Sequence, residues 1–83
     1  MTEEDTQAKI NKYEERLDEN PEDVEAMITL GNIYYDQEDY EKAIEYYESS
    51  LEHESDNLEV LVDLGTAYYY RKNSDPQKAI EYY

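Results

Sequence analysis

Apolar residues recur along most of this 83-residue chain at steps of three and four, the interval that gathers side chains on one face of an α-helix. Ile10, Tyr13 and Leu17 form a first stripe, and Met27, Leu30, Gly31 and Tyr34 a second. Tyr40, Ala43, Ile44, Tyr47 and Leu51 form a third. Leu58, Leu61, Leu64, Gly65 and Tyr68 copy the second stripe, and Ala79, Ile80 and Tyr83 begin to copy the third. Helix-start chemistry lies between the stripes. Asn20-Pro21-Glu22-Asp23 offers an N-cap, a proline whose missing N–H costs nothing in a first turn, and acids for the positive helix end. Ser74-Asp75-Pro76 repeats that device, Asp39 is the expected cap of the third helix, and Ser55, Asp56 and Asn57 are candidates for the fourth. The pattern predicts five helices, at about 5–18, 22–36, 40–53, 57–71 and 76–83, and no strands.

The stripes repeat as pairs. Leu30-Gly31 and Leu64-Gly65 are 34 residues apart, and the hexapeptide Lys42–Tyr47 recurs at Lys78–Tyr83, 36 residues on, which puts a two-residue insertion within Tyr70–Ser74. Stepping back by 34 from Ile44, Tyr47 and Leu51 lands on Ile10, Tyr13 and Leu17. Residues 5–18 therefore read as the second helix of a preceding half repeat, residues 24–57 as a complete repeat, and residues 58–83 as an incomplete one. Gly31 and Gly65 sit inside helices, at a cost of about 1 kcal/mol each relative to alanine, which is tolerated where another helix approaches closely. Ala43 and Ala79 are the expected facing contacts. The repeated hexapeptide is expected to turn its alanine, isoleucine and last tyrosine inward. A final helix of about eight residues is too short to stand alone, so the chain is expected to be a piece of a longer array or to rest on a second copy.

This pattern resembles the tetratricopeptide repeat family. Met27, Leu30-Gly31, Tyr34, Ala43, Tyr47 and Ser50 fill its signature places in one repeat, and Leu61, Leu64-Gly65, Tyr68, Ala79 and Tyr83 in the next. Two positions depart from it: Ser55 stands where the family usually ends a repeat with proline, and Glu38 where it often has glycine. The resemblance implies an all-α architecture of helix-turn-helix repeats stacked in a right-handed superhelix, an α-solenoid, working as a non-catalytic protein interaction scaffold. It also implies a concave groove lined by the first helix of each pair. Carried over, those positions are Glu25, Ile28, Thr29, Asn32, Tyr35 and Asp36 in one repeat. In the next they are Glu59, Val62, Asp63, Thr66, Tyr69 and Tyr70.

Composition narrows the function classes. The chain has no cysteine, so disulfides and thiolate metal sites are excluded. No apolar run approaches the ~18 residues of a membrane span, and the acidic start does not read as a secretory signal, so the expected compartment is the cytoplasm. Twenty-three acids against seven bases give a net charge of −16, which disfavours nucleic acid and anionic lipid and favours basic partners. Residues 24–57 hold ten of the acids and one base, Lys42, and would attract most strongly. A solvated surface suited to a high-salt cytoplasm would share this composition.

Candidate chemistry is sparse. His53 is the only histidine, and its neighbours Glu52 and Glu54 point to other helix faces, so no metal site is expected; a cation near a helix C-terminus is the simpler account. The two glycines lie mid-helix rather than in a phosphate loop, and no calcium-loop spacing occurs. No enzyme activity and no cofactor are expected. Glu38, Glu41, Glu45, Glu48 and Glu52 form an acidic stripe, read as either a solvated wall or a docking face for a basic segment.

The groove positions hold four carboxylates and three phenol rings but no lysine or arginine, so a clamp for a terminal carboxylate, used by chaperone-binding members of the family, is not expected; of its residues only Asn32 has a counterpart. Acids beside tyrosine faces suit a lysine or arginine side chain. The expected ligand is a basic peptide segment of another protein. The alternative is a structural segment that extends an array or forms a homo-oligomer through its open repeat ends.

Overall fold

A computed structural model describes the backbone of residues 3–73 and the side chains of residues 5–72. Four α-helices follow one another: α1 (Glu3–Glu19), α2 (Val24–Asp36), α3 (Tyr40–His53) and α4 (Leu58–Asn73). The described residues are helices and turns, with no strand among them. The expected helix at 76–83, with its second copy of the hexapeptide, lies outside the described residues. Each helix packs on the next in chain order, α1 on α2, α2 on α3 and α3 on α4, which is the contact pattern of antiparallel hairpins stacked along one direction.

Local chemistry sets each boundary. The cap of α2 is Asp23 and not Asn20, and the helix starts two residues later than expected. Asp23 Oδ1 accepts the Ala26 N–H at 3.1 Å, while Asn20 Oδ1 accepts the Glu22 N–H at 3.1 Å and shapes the turn instead. Arg16, at the end of α1, reinforces this choice. Its Nε and Nη2 both donate to the Asp23 carboxylate, at 3.0 and 3.2 Å, so one side chain caps α2 and ties it to α1. Asp39 caps α3 as expected, and Asn57, among the three candidates, caps α4 through the Val60 N–H at 3.2 Å. Helix α4 runs on through Arg71 and Lys72 to Asn73, two residues past its expected end and into the stretch assigned to the insertion.

The turn from α2 to α3 carries the one left-handed residue among the non-glycines described, Glu38, with φ 64°. The Asp39 N–H reaches back to the Tyr34 carbonyl at 2.9 Å and the Glu38 N–H to the Tyr35 carbonyl at 3.0 Å, the paired bonds that close a helix around a left-handed residue. Here glutamate pays a conformational cost that glycine would avoid.

The core runs through all four helices. Ile10, Leu30, Tyr34, Ala43, Tyr47 and Val60 are buried and form one cluster, flanked by the half-buried Tyr13, Leu17, Leu51 and Leu64. In the first hexapeptide Ala43, Ile44 and Tyr47 are buried, as expected. Gly31 also sits at a close approach, but its closest neighbour is Tyr47 rather than Ala43. A Cβ at residue 31 would lie 2.7 Å from both Cδ1 and Cε1 of the Tyr47 ring. The fourth stripe departs further from expectation. Val60 and Ala67 are the buried residues described in α4, while Leu58, Leu61 and Tyr68 are exposed and, among the described residues, nothing lies within 4 Å of a Cβ at Gly65. Val60 and Leu64 join the core cluster with Ala43 and Tyr47 of α3, whereas Tyr68, though exposed, reaches Glu48 of α3 with its hydroxyl.

The two glycines therefore differ in their response to substitution. Gly31→Ala must displace a buried ring and is expected to cost about 1–3 kcal/mol. Gly65→Ala gains helix propensity and is expected to stabilise by about 0.5–1 kcal/mol. Urea unfolding followed by circular dichroism measures both, and equal effects would contradict the packing described. Glu38→Gly should stabilise by up to about 1 kcal/mol, the left-handed cost less the added flexibility of glycine; a loss of stability would show that the Glu38 side chain makes a compensating contact.

Candidate functional site

Helices α2 and α4 carry the expected groove positions. The structure gathers these into two groups and draws others away. Glu25 is turned toward α1, where its Oε1 accepts from Arg16 Nη1 at 3.3 Å. Ile28 packs against the core and is half-buried, as is Thr29. Asn32 is exposed, but its Oδ1 accepts the Tyr47 hydroxyl at 2.6 Å. Thr66 is half-buried and bonds its own helix, donating to the Val62 carbonyl at 3.0 Å.

The first group is on α4. Glu59, Val62 and Asp63, with Leu58, line a shallow concavity of ≈ 390 Å³. Leu58 and Val62 are 75% and 66% exposed, so an apolar strip lies open between two carboxylates.

The second group joins three elements. Tyr35, in the last turn of α2, meets Tyr70 of α4 with ring centroids 6.5 Å apart and planes at 74°. Tyr40, the first residue of α3, completes the set at 5.5 Å from each of them, edge-on to Tyr35 and stacked on Tyr70. Tyr69 adds an edge contact to Tyr70 at 5.5 Å. Tyr35, Glu38, Tyr40 and Tyr70 line a cleft of ≈ 610 Å³. Neither Glu38 nor Tyr40 was assigned to the groove from sequence. Tyr40 was read as part of the packing stripe, yet this first residue of α3 is half-buried and its ring meets those of Tyr35 and Tyr70. Glu38 was noted only as a departure from glycine; the left-handed conformation that closes the turn is what brings it to the cleft.

The electrostatics of this region are one-signed. Burial pushes the Tyr35 phenol upward, and so do the neighbouring Tyr70 and Tyr40 and the charges of Asp63 and Asp36. Burial and then Glu38 raise Tyr40. Tyr47 is raised most, by burial first and then by Asp63, Tyr35 and Asp36. Asp36 and Asp63, on α2 and α4 respectively, thus act together on the same phenols. Of the acidic stripe on α3, Glu48 is engaged: it accepts the Tyr68 hydroxyl, whose pKa this bond raises. Glu41, Glu45 and Glu52 are exposed, and Glu38 precedes the helix. Among the described residues no group of three potential metal ligands is close enough to hold an ion. None of the described helices is long and apolar enough to cross a membrane.

Residues 24–57, from the first residue of α2 to the cap of α4, match the family model described as Tetratricopeptide repeat. That stretch of the chain is similar to one repeat of the family. No curated protein matches it. Repeats of this family generally mediate protein–protein interaction, and the family is generally a non-catalytic scaffold. The matched repeat is the α2–α3 hairpin, whose signature residues Leu30, Gly31, Tyr34, Ala43, Tyr47 and Ser50 are all buried. Its small residues have separate tasks: Gly31 admits the Tyr47 ring, and Ser50 Oγ bonds the Tyr47 carbonyl at 2.8 Å within the core.

The raised Tyr47 phenol makes stability fall in alkali. The unfolded chain ionises with the ordinary tyrosine pKa of about 10, whereas the folded state keeps the proton beyond it. Stability is therefore expected to be unaffected by this group below about pH 9 and to decline as pH rises above about 10. Urea midpoints across this range measure the decline. Tyr47→Phe, less stable at neutral pH for want of the Asn32 bond, should show a shallower one.

Proposed function

We propose that this chain is a non-catalytic scaffold that binds a basic peptide segment of another protein on the α2–α4 face. The helix pairs then stack as a right-handed superhelix, with residues 5–18, 24–57 and 58–83 as a half repeat, a whole repeat and a partial one. The face includes Glu25, Ile28, Thr29, Asn32, Tyr35, Asp36, Glu59, Val62, Asp63, Thr66, Tyr69 and Tyr70. The observation that carries the reading is the meeting of Tyr35 and Tyr70 across two helices, with the charges of Asp63 and Asp36 acting on Tyr35. A cation seated there gains ion pairing and ring contact together, worth about 0.5–2 kcal/mol per side chain. The surrounding charge, −16 over the chain, speeds the approach of basic partners and repels acidic ones.

Calorimetric titration with short peptides of matched length, one lysine- and arginine-rich and one glutamate-rich, tests this at low and high salt. The basic peptide should bind, weaken as salt rises, and outcompete the acidic one at every salt concentration. Indifference to peptide charge and to salt would defeat the proposal. The exposed strip of Leu58, Leu61 and Val62 on α4 favours a second reading, in which the chain extends an array or self-associates. Sedimentation over a range of protein concentration separates the two: that reading requires concentration-dependent association, whereas the peptide reading requires a monomer that binds.

A further inference from the structure

The cleft at the α2–α3 turn has the composition of a cation seat. Three tyrosine rings from α2, α3 and α4 converge on it, and they are set at steep angles to one another in two of the three pairs. Such a corner presents ring faces, which carry the negative side of the aromatic quadrupole, together with ring edges that hold those faces in place. Glu38 adds a full negative charge, and among the described residues no hydrogen bond or ion pair engages its carboxylate. The described lining contains no lysine or arginine. At ≈ 610 Å³ the cleft falls within the ~300–1,000 Å³ range of ligand sites, large enough for one long side chain with its flanking backbone.

The protein already shows how its tyrosines receive cations. Lys42 lies 5.1 Å above the Tyr34 ring, Arg71 4.9 Å above Tyr68 and Arg16 5.2 Å from Tyr13. These are distances at which the ring quadrupole attracts a positive group.

We propose that the cleft formed by Tyr35, Glu38, Tyr40 and Tyr70 is the seat of a single lysine or arginine side chain of a partner peptide. It rests on the reading of the α2–α4 face as a basic-peptide site and adds the position where one side chain is held. The aliphatic stem lies against the rings and the charged head meets Glu38. Burial is the first cause that raises the Tyr35 and Tyr40 phenols, and by itself it favours no charge; the smaller contributions of Asp63 and Asp36 at Tyr35 and of Glu38 at Tyr40 are the part that would favour a cation.

The test uses the full 83-residue chain, with tyrosine ring resonances followed by NMR. The probes are the N-acetyl amides of arginine, lysine and trimethyl-lysine, with the norleucine amide as the neutral control. The three cations should shift the rings of Tyr35, Tyr40 and Tyr70 in a saturable way while norleucine leaves them in place. Trimethyl-lysine binding as well as lysine would assign the attraction to the rings, and arginine binding best would assign it to stacking with the Glu38 pair; either supports the seat. Tyr40→Leu should weaken the best cation by about tenfold or more, as expected for loss of a desolvated ring contact. Glu38→Gln, which leaves the backbone as it is, should weaken it several-fold and decides the matter if Tyr40→Leu fails to fold. Equal shifts with norleucine would overturn the proposal, as would cation-induced shifts spread over the acidic surface without saturation at these rings, or unchanged binding in both variants. A basic peptide that binds the chain equally with and without these substitutions would overturn the seat and leave the wider face standing. Cationic amides that saturate at the rings while no basic peptide binds would do the reverse.

Discussion

Tyr47 must lay a six-membered ring between α2 and α3 without forcing them apart, and it does so because residue 31 has no side chain. The ring takes the place that any Cβ at Gly31 would occupy, which sets the distance between the two helices and the register in which they meet. The hydroxyl at the far end of the ring then reaches Asn32, so the same side chain is gripped in the core and at the surface. Protein interiors are packed too densely for such a contact to slide gradually. With α2 and α3 locked in register, Val60 and Leu64 of α4 join the core, while Ile10, Tyr13 and Leu17 of α1 complete it. Each further helix depends on the hairpin already formed.

That register also places the candidate site. Tyr35 lies one residue beyond Tyr34 on α2, Tyr40 starts α3, and the distance between them is bridged by a turn whose closing bonds require a left-handed residue at Glu38. A shift of one residue in the hairpin would carry Tyr35 to another face and separate it from Tyr70. Charge then does what packing leaves undone. The described carboxylates around the rings have no compensating base in the cleft, so the negative field is expressed where the rings are exposed. Where bases do occur in the described helices, Arg16 is spent on Asp23, and Lys42 and Arg71 lie over other tyrosines. The described lining of the cleft thus holds no base, whereas Tyr13, Tyr34 and Tyr68 each have one over the ring.

Much of this could be read along the chain, because helical period and repeat spacing are properties of sequence. Asn57 was one of three candidate caps until the structure chose it, whereas the boundaries of α3, the cap Asp39, the inward turn of Ala43, Ile44 and Tyr47, and the close approach at Gly31 all followed from residue type and interval. Asp23 did not, since Asn20 and Asp23 are equally good caps until Arg16 arrives from the previous helix to select one. Nor did the partner of Gly31: alanine was the smaller candidate, and only the crossing of α2 and α3 shows that a large ring fills the gap. The fourth stripe copied the second in letters but not in burial, because a helix face is buried only where a neighbour covers it.

By itself, then, the sequence determined that each described segment is a helix and what sign of charge it carries, which depend on residue type and on neighbours within one or two turns. The tertiary structure decided which side chains from different segments share a space. Tyr40 and Glu38 joined Tyr35 and Tyr70 through the turn and the α2–α4 approach, while Glu25 and Thr66 were drawn into other bonds. Proximity across helices depends on the crossing of their axes and on the rotamers that packing allows, and neither has a local code.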